Sequence, residues 1–223
     1  MASLATRLML GEKLASLNLR EKRFAHFGAK EAVFPFDKFP EVDPVLGPEM
    51  RSTGEVLGLS DSPSLAFYKS QEAAGNFLPA GFEEGSSILI SLSDKQNLRE
   101  QAINVGKIFS GLGFKILATE GTAGFYREAG VPCEVIAKLN EGRPNVIDVI
   151  VNRSVTLVIN TPSAHRDAIV DEAVVRKAVL KYKIPYITTL AAALAAGRGI
   201  EAARKGKGNV KALQKYHAEI TEV

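Results

Sequence analysis

From about residue 86 onward the chain alternates short apolar runs with longer amphipathic ones. That alternation constrains its fold more than any other feature. Ser87-Ile88-Leu89-Ile90-Ser91 reads as an apolar strand. Leu98, Ala102, Val105, Phe109 and Leu112 then recur at helical spacing, and Gly113 ends the run. Ser93 and Gln96 stand at a capping-box spacing, which puts the helix start at Ser93. Residues 114–118 form the next expected strand and 121–128 the next helix, closed by Gly130. A short strand follows at 134–137, then a helix over 144–151 with proline in its first turn. Residues 155–159 are wholly apolar, as in a parallel strand covered on both faces. A long helix over 167–182, a strand at Tyr186-Ile187 and an alanine-rich helix over 189–196 complete the pattern. The fold class is therefore α/β, a three-layer Rossmann-like domain with a mainly parallel sheet.

The front of the chain has a different texture. Prolines at 35, 40, 44 and 48 interrupt it, so extended segments and turns are expected there, with a helix over 64–74 as the exception. This region is too poor in regular elements to make a large core of its own. Its exposed Phe34, Phe36 and Phe39 would favour association. Residues 1–10 read as a short helix, because Gly11-Glu12-Lys13 arrive before a signal-peptide core forms. They also read as the cut end of a longer protein.

A net charge of +3 gives no support for a broad nucleic-acid surface, and the basic stretch 198–211 reads as a solvated helix face or loop. No apolar run approaches the ~20 residues of a membrane span. The single cysteine, Cys133, excludes an internal disulfide and fits a reducing cytoplasm; it reads as a small core residue. His26, His165 and His217 are scattered without metal-ligand spacing, and neither a Walker-type nor a dinucleotide glycine pattern occurs. The acidic pairs Glu83-Glu84 and Asp171-Glu172 read as solvated faces or helix-start charges.

Chemistry gathers instead at the carboxyl ends of the expected strands, where open α/β sheets bind ligands. Ser91-Leu92-Ser93-Asp94-Lys95 and Ala118-Thr119-Glu120-Gly121-Thr122 each close a strand and open a helix. Lys138 follows the third strand, and Asn160-Thr161 the fourth. Hydroxyls, lysines and a glycine beside free helix N–H groups suit a phosphate. Asn160 both donates and accepts, which suits a sugar or base edge. Helix capping by Ser93 and Thr119, about 1 kcal/mol each, is the plainer explanation. It does not account for the lysines that follow two of the same strand ends. Read from the residues alone, the site is made for binding and not for turnover.

At these residues the chain resembles the methylglyoxal-synthase-like domain, over 80–223. Ile90-Ser-Leu-Ser-Asp-Lys95, Asn140-Glu-Gly-Arg-Pro144, Val158-Ile-Asn-Thr161 and Tyr186-Ile-Thr-Thr189 carry that resemblance. The front decides among the families that share the domain. Phe34-Pro-Phe-Asp-Lys-Phe-Pro-Glu-Val-Asp-Pro44 and Leu46-Gly-Pro-Glu-Met-Arg-Ser-Thr-Gly-Glu-Val56 are similar to the tail of the second ATP-grasp unit of the carbamoyl-phosphate synthase large subunit. The resemblance implies a C-terminal fragment of that subunit, with 1–79 an irregular remnant of the ATP-grasp unit and connector and 80–223 the allosteric domain. The parent ligase makes carbamoyl phosphate from bicarbonate, glutamine-derived ammonia and ATP with Mg or Mn, for pyrimidine and arginine biosynthesis.

The fragment itself is then expected to be non-catalytic, cytoplasmic and without a cofactor. The resemblance further implies UMP or IMP as effector, held by Ser91, Lys95, Thr119, Thr122, Lys138, Asn160 and Thr161. Lys95, Thr119 and Thr122 would take the phosphate, Lys138 and Asn160 the ribose or base. Glu31, Tyr186 and Thr188 match part of an ornithine site whose remaining carboxylates lie upstream. Implied partners are the rest of the large subunit, the glutaminase small subunit and a second copy of this domain, with no nucleic acid and no membrane. The chain departs from the family pattern at Glu120, where histidine is familiar and a negative charge falls near the expected phosphate. Pro162 replaces a hydroxyl residue and Ile187 an acidic one. The alternatives are a methylglyoxal synthase-type lyase, against which Gly142-Arg143 puts arginine where an aspartate base is needed, and an oligomerisation module without effector binding.

Overall fold

The computed structural model of the protein describes residues 2–36, 38, 47–81, 85–93, 96–162, 166–206 and 210–222, with the backbone alone at 166–170 and 222. The chain starts with helix α1 (Ala2–Met9), a 3-10 turn at Leu14–Leu17 and strand β1 (Lys22–Arg23). Strands β2 (Phe27–Val33) and β3 (Gly54–Ser60) pair antiparallel, Phe27 opposite Ser60 and Val33 opposite Gly54. Helix α2 (Pro63–Ala73) packs across them. The pairing of β2 with β3 differs from the extended segments and turns expected of this region. Its covered face is built from small residues and so gives little apolar pattern. A Cβ on Gly58 would lie 2.1 Å from the Ala66 carbonyl oxygen, so the bare glycine is what lets α2 lie against β3. Phe34 and Phe36, expected to be exposed, are half-buried and stack on one another, centroids 5.4 Å apart. Phe39, the prolines at 40 and 44, Glu83-Glu84 and His165 lie outside the described residues.

The alternating region follows: β4 (Ser87–Ser91), α3 (Arg99–Gly111), β5 (Lys115–Thr119), α4 (Glu120–Glu128), β6 (Glu134–Ile136) and α5 (Val146–Val151). Then come β7 (Val158–Asn160), α6 (Arg166–Tyr182), β8 (Tyr186–Ile187), α7 (Leu190–Lys205), α8 (Leu213–Ala218) and β9 (Thr221–Glu222). Five strands form one parallel sheet in the order β6-β5-β4-β7-β8. Alternate residues of each central strand are buried on opposite faces, as a covered parallel sheet requires. Ile88, Ile90, Leu157 and Ile159 join the core beneath α2, α3, α4 and α7, whereas Leu89 and Val158 join the one beneath α5 and α6. The three-layer arrangement expected from the sequence is the one observed. Leu65 and Tyr68 of α2 share the first core with Ile88 and Ala203, so apolar packing runs across residue 80. Among the described residues no helix is long and apolar enough to cross a membrane.

Several boundaries move, each for a local reason. Helix α3 starts at Arg99, not Ser93, because the Ser93 side chain bonds across the sheet and Leu98 takes the N-cap position, 42% exposed. Helix α5 begins after Asn145, whose amide accepts from Ile147 and Asp148 N–H while Asp148 bonds back, so Pro144 precedes the helix. Helix α7 continues past Ala196 to Lys205. Gly197 and Gly199 would break an isolated helix, but here they set its contact distance: a Cβ at 197 would lie 2.9 Å from Ile108, and one at 199 would lie 3.2 Å from the Ser64 carbonyl. Formal β7 is shorter than expected, although Leu157 still accepts from the Leu89 N–H at 2.9 Å. Cys133 is half-buried against the first core, and burial pushes its thiol up, away from nucleophilic character. Within the basic stretch, Arg204 donates to the Ala80 and Leu112 carbonyls, closing the end of α3; this cation is structural.

Candidate functional site

The chain runs from β4 outward through β5 to β6, then returns to the other side of β4 with β7. A crevice opens where strand order reverses, at the carboxyl ends of β4 and β7. A cavity of about 510 Å³ fills it. Ser91, Thr119, Thr122, Lys138, Asn160 and Thr161 all line this cavity. Lys95, expected beside them, lies outside the described residues.

The hydroxyls are bonded to one another and to the backbone, not to helix ends. Ser91 Oγ lies 3.2 Å from Thr119 Oγ1, joining the ends of β4 and β5. Thr122 Oγ1 accepts from the Leu92 N–H at 2.9 Å, and Thr161 Oγ1 from the Ser93 N–H at 2.9 Å. Ser93 Oγ donates to the Pro162 carbonyl. Neither Ser93 nor Thr119 caps a helix with its side chain, which removes the plainer explanation of these two residues. Thr119 and Thr122 are 5% and 1% exposed and fixed by these bonds, so their orientation is set before any ligand arrives. Thr122 keeps its own O–H for donation, because its oxygen is acting as acceptor. Gly121 sits at the N-terminal turn of α4, where backbone N–H groups are uncommitted to the helix.

The rest of the lining differs. Lys138 is exposed and pairs with Glu141 at 3.5 Å; Glu141 also accepts from the Lys138 N–H at 3.2 Å. An exposed pair of this kind contributes under about 1 kcal/mol and leaves the ammonium available. Asp171 and Glu172 of α6 line the cavity too, and Asp171 accepts from Asn140 at 3.5 Å. The sequence assigns these acids to a solvated face or helix start; the structure makes them a wall of the site. They meet the strand ends only through packing of α6 on the sheet, which no local spacing encodes. Leu89, Val146, Val158 and Val175 supply apolar lining. The cavity is thus lined by hydroxyls and a helix N-terminus, by a lysine and carboxylates, and by apolar side chains.

Three departures from the family pattern can now be placed. Glu120 is exposed and does not line the cavity, so its charge faces solvent. Pro162 contributes a carbonyl that accepts from Ser93. Ile187 is half-buried and joins the first core. Arg143 lies outside the cavity and reaches Asp148 at 3.8 Å. The residues matched to an ornithine site sit on separate sheets. Glu31 of β2 accepts from Gln71 of α2, whereas Tyr186 of β8 accepts from the Asn160 amide at 3.1 Å. Thr188 follows β8, half-buried. No group of three or more metal-ligating side chains occurs among the described residues.

Residues 101–188 match the family described as MGS-like domain. The chain carries an MGS-like domain. Over 98% of its length it is 44% identical to the carbamoyl phosphate synthase large chain of Archaeoglobus fulgidus, and it spans 20% of that protein. It is 47% identical to the same large chain from Rhodopirellula baltica, again over 98% of its length and 20% of the relative. A Methanopyrus kandleri protein named as the C-terminal section of that large chain is 45% identical over 84% of this chain and 34% of the relative. These findings accord with a C-terminal fragment of such a large chain, carrying the MGS-like domain. The chain spans about one fifth of the length of the full-length relatives it matches.

Proposed function

We propose that this chain is the effector-binding regulatory region of a carbamoyl phosphate synthase large chain, and that the cavity at the β4/β7 crevice receives a nucleoside monophosphate such as UMP or IMP. The observation that carries the reading is that one cavity at the strand ends gathers hydroxyls already oriented by hydrogen bonds, the first turn of α4, Lys138 and Asn160. The phosphate lies against Ser91, Thr119, Thr122, Thr161 and the first turn of α4, with Lys95 as counter-charge. Hydroxyls donate to phosphate oxygens while backbone N–H groups and the helix dipole favour its charge. The ribose hydroxyls, donors themselves, lie toward Asp171 and Glu172 and toward Lys138. The base rests on the apolar wall beside Asn160. Phosphate beside Asp171 and Glu172 would meet repulsion, which favours its placement at the hydroxyls and the first turn of α4.

The domain acts by differential affinity. The effector binds one arrangement of the large chain better and shifts its population; a ten-fold change in activity needs about 1.4 kcal/mol of that difference. The partners in this reading are the rest of the large chain and the glutaminase subunit, and the activity regulated is ATP-dependent synthesis of carbamoyl phosphate. Residues 1–79 belong with the synthetic unit and 80–223 form the effector domain.

Isothermal titration with UMP, IMP and inorganic phosphate tests this. Saturable nucleotide binding is expected, abolished in Lys95→Ala and weakened about ten-fold in Lys138→Ala, the scale of one charged hydrogen bond. A folded chain that binds neither nucleotide would leave an oligomerisation module in its place. Formation of methylglyoxal from dihydroxyacetone phosphate would establish the lyase instead, and none is expected, because arginine stands at 143 where an aspartate base is needed.

A further inference from the structure

Resting on that reading of the cavity, we infer that Glu141 is a contact for the ribose: with Lys138 it forms a donor–acceptor pair that holds the sugar hydroxyls and makes the site prefer ribonucleotides to 2′-deoxyribonucleotides.

Residues 138–141 form a closed turn just after β6. The Glu141 N–H donates to the Lys138 carbonyl at 3.2 Å, and all four residues of the turn line the cavity. The turn brings its first and last side chains together, with Lys138 Nζ 3.5 Å from Glu141 Oε1. Glu141 Oε2 accepts from the Lys138 backbone N–H at 3.2 Å. The carboxylate is therefore held by one oxygen and presents the other beside the ammonium.

The hydrogen-bonding sense of this pair is unambiguous. An ammonium donates and never accepts; an ionised carboxylate accepts and never donates. A group that satisfies both must accept and donate from nearly one point, as a hydroxyl does: its lone pair takes an N–H from Lys138 while its O–H goes to Glu141. A phosphate dianion, which only accepts, would suit the lysine and meet repulsion from the carboxylate. The pair is also looser than the ~2.7–2.9 Å of a tight charge-assisted contact, so it admits a hydroxyl oxygen bonded to both partners.

Its place in the cavity favours sugar over base. The Lys138 and Glu141 side chains are 56% and 51% exposed, whereas Leu89, Val158 and Val175 of the same lining are buried. The faces of a base gain from apolar cover, and ribose hydroxyls gain from a half-exposed polar pair. Ribose presents two adjacent hydroxyls and 2′-deoxyribose only one, so loss of the 2′ oxygen breaks at least one charge-assisted bond. Asp171 also lines the cavity, where it accepts from the Asn140 amide, and it serves as the comparison acid.

Calorimetric titration of the 223-residue chain with UMP, dUMP and inorganic phosphate tests the assignment, using wild type, Glu141→Ala and Asp171→Ala. Wild type is expected to prefer UMP to dUMP about five-fold, the scale of one net hydrogen bond. Glu141→Ala should bring that ratio close to one by weakening UMP. Phosphate affinity should be kept or rise in this variant, and the melting temperature should hold, because the pair it breaks is exposed. Asp171→Ala should leave the ratio near its wild-type value. A purely structural or electrostatic role for Glu141 would shift UMP and dUMP in parallel. An unchanged ratio in Glu141→Ala therefore overturns the inference and leaves the nucleotide site standing. Loss of the ratio in Asp171→Ala alone assigns the ribose to α6 and overturns it too, as does equal binding of UMP and dUMP by wild type. Binding of neither nucleotide removes the proposed function and this inference together.

Discussion

At the scale of single residues, contacts invisible in the sequence decide which side chains matter. Gly58 and Gly124 are alike on paper, yet a Cβ at 58 meets the α2 backbone and one at 124 meets nothing within 4 Å. Gly58→Ala should destabilise by about 3 kcal/mol, through forced separation of α2 from β3. Gly124→Ala, inside α4, should stabilise by about 0.5–1 kcal/mol. Denaturant unfolding of the two variants measures both signs. Tyr126 is fully buried with no partner for its hydroxyl among the described residues. Burial raises its phenol above the ordinary value near 10. Above that pH the unfolded chain releases a proton that the folded chain retains, so stability present below pH about 10 is lost as pH rises. Tyr126→Phe should therefore flatten the alkaline fall in melting temperature and cost nothing at neutral pH, since it removes an unsatisfied group.

At the scale of elements, the loop after β6 is held by the start of α5. Asn145 is 7% exposed, caps α5, and donates to the Leu139 carbonyl at 3.3 Å. Leu139 and Asn140 line both the main cavity and a shallower one beside it. Asn145→Ala should cost about 1–2 kcal/mol of stability and also weaken nucleotide binding, because the cap and the cavity wall share one residue. Paired unfolding and titration experiments separate these effects; a stability loss with unchanged affinity would show that the loop holds its place without the cap. The positions of β4, β5 and β8 were legible from apolar runs bounded by polar residues. The start of α3 was not. Ser93-to-Gln96 is a sound local signal, but Ser93 bonds to Thr161 and Pro162 across the sheet, and no local spacing encodes that partner.

At the scale of the whole molecule, the ends of the chain are joined. Strand β9 pairs with β1, Thr221 opposite Arg23, and Tyr216 of α8 is 7% exposed with its ring 4.8 Å from His26. Lys211 lies 4.6 Å from the same tyrosine ring. Tyr216→Ala removes this contact and should cost about 3 kcal/mol locally. Amide exchange of Thr221 and Arg23 should accelerate while that of Leu89 and Val158 stays slow, because the tail and the parallel sheet share no core. Uniform acceleration would mean instead that tail and sheet unfold as one unit.

The strand–helix alternation, the hydroxyl-bearing strand ends and the identity of Thr119, Thr122, Lys138 and Asn160 as residues that converge were all determined by the sequence itself. Apolar period and strand-end position are local properties, and a parallel sheet brings its carboxyl ends to one edge whatever the details. Tertiary structure alone decided the rest. It turned Ser93 and Thr119 away from capping, brought Asp171 and Glu172 into the same cavity as the hydroxyls, and carried α7 through two glycines. It also placed the Tyr186 hydroxyl behind Asn160. Each of these depends on a partner from another element, and the free energy that selects it appears only once the sheet and its helices are packed together.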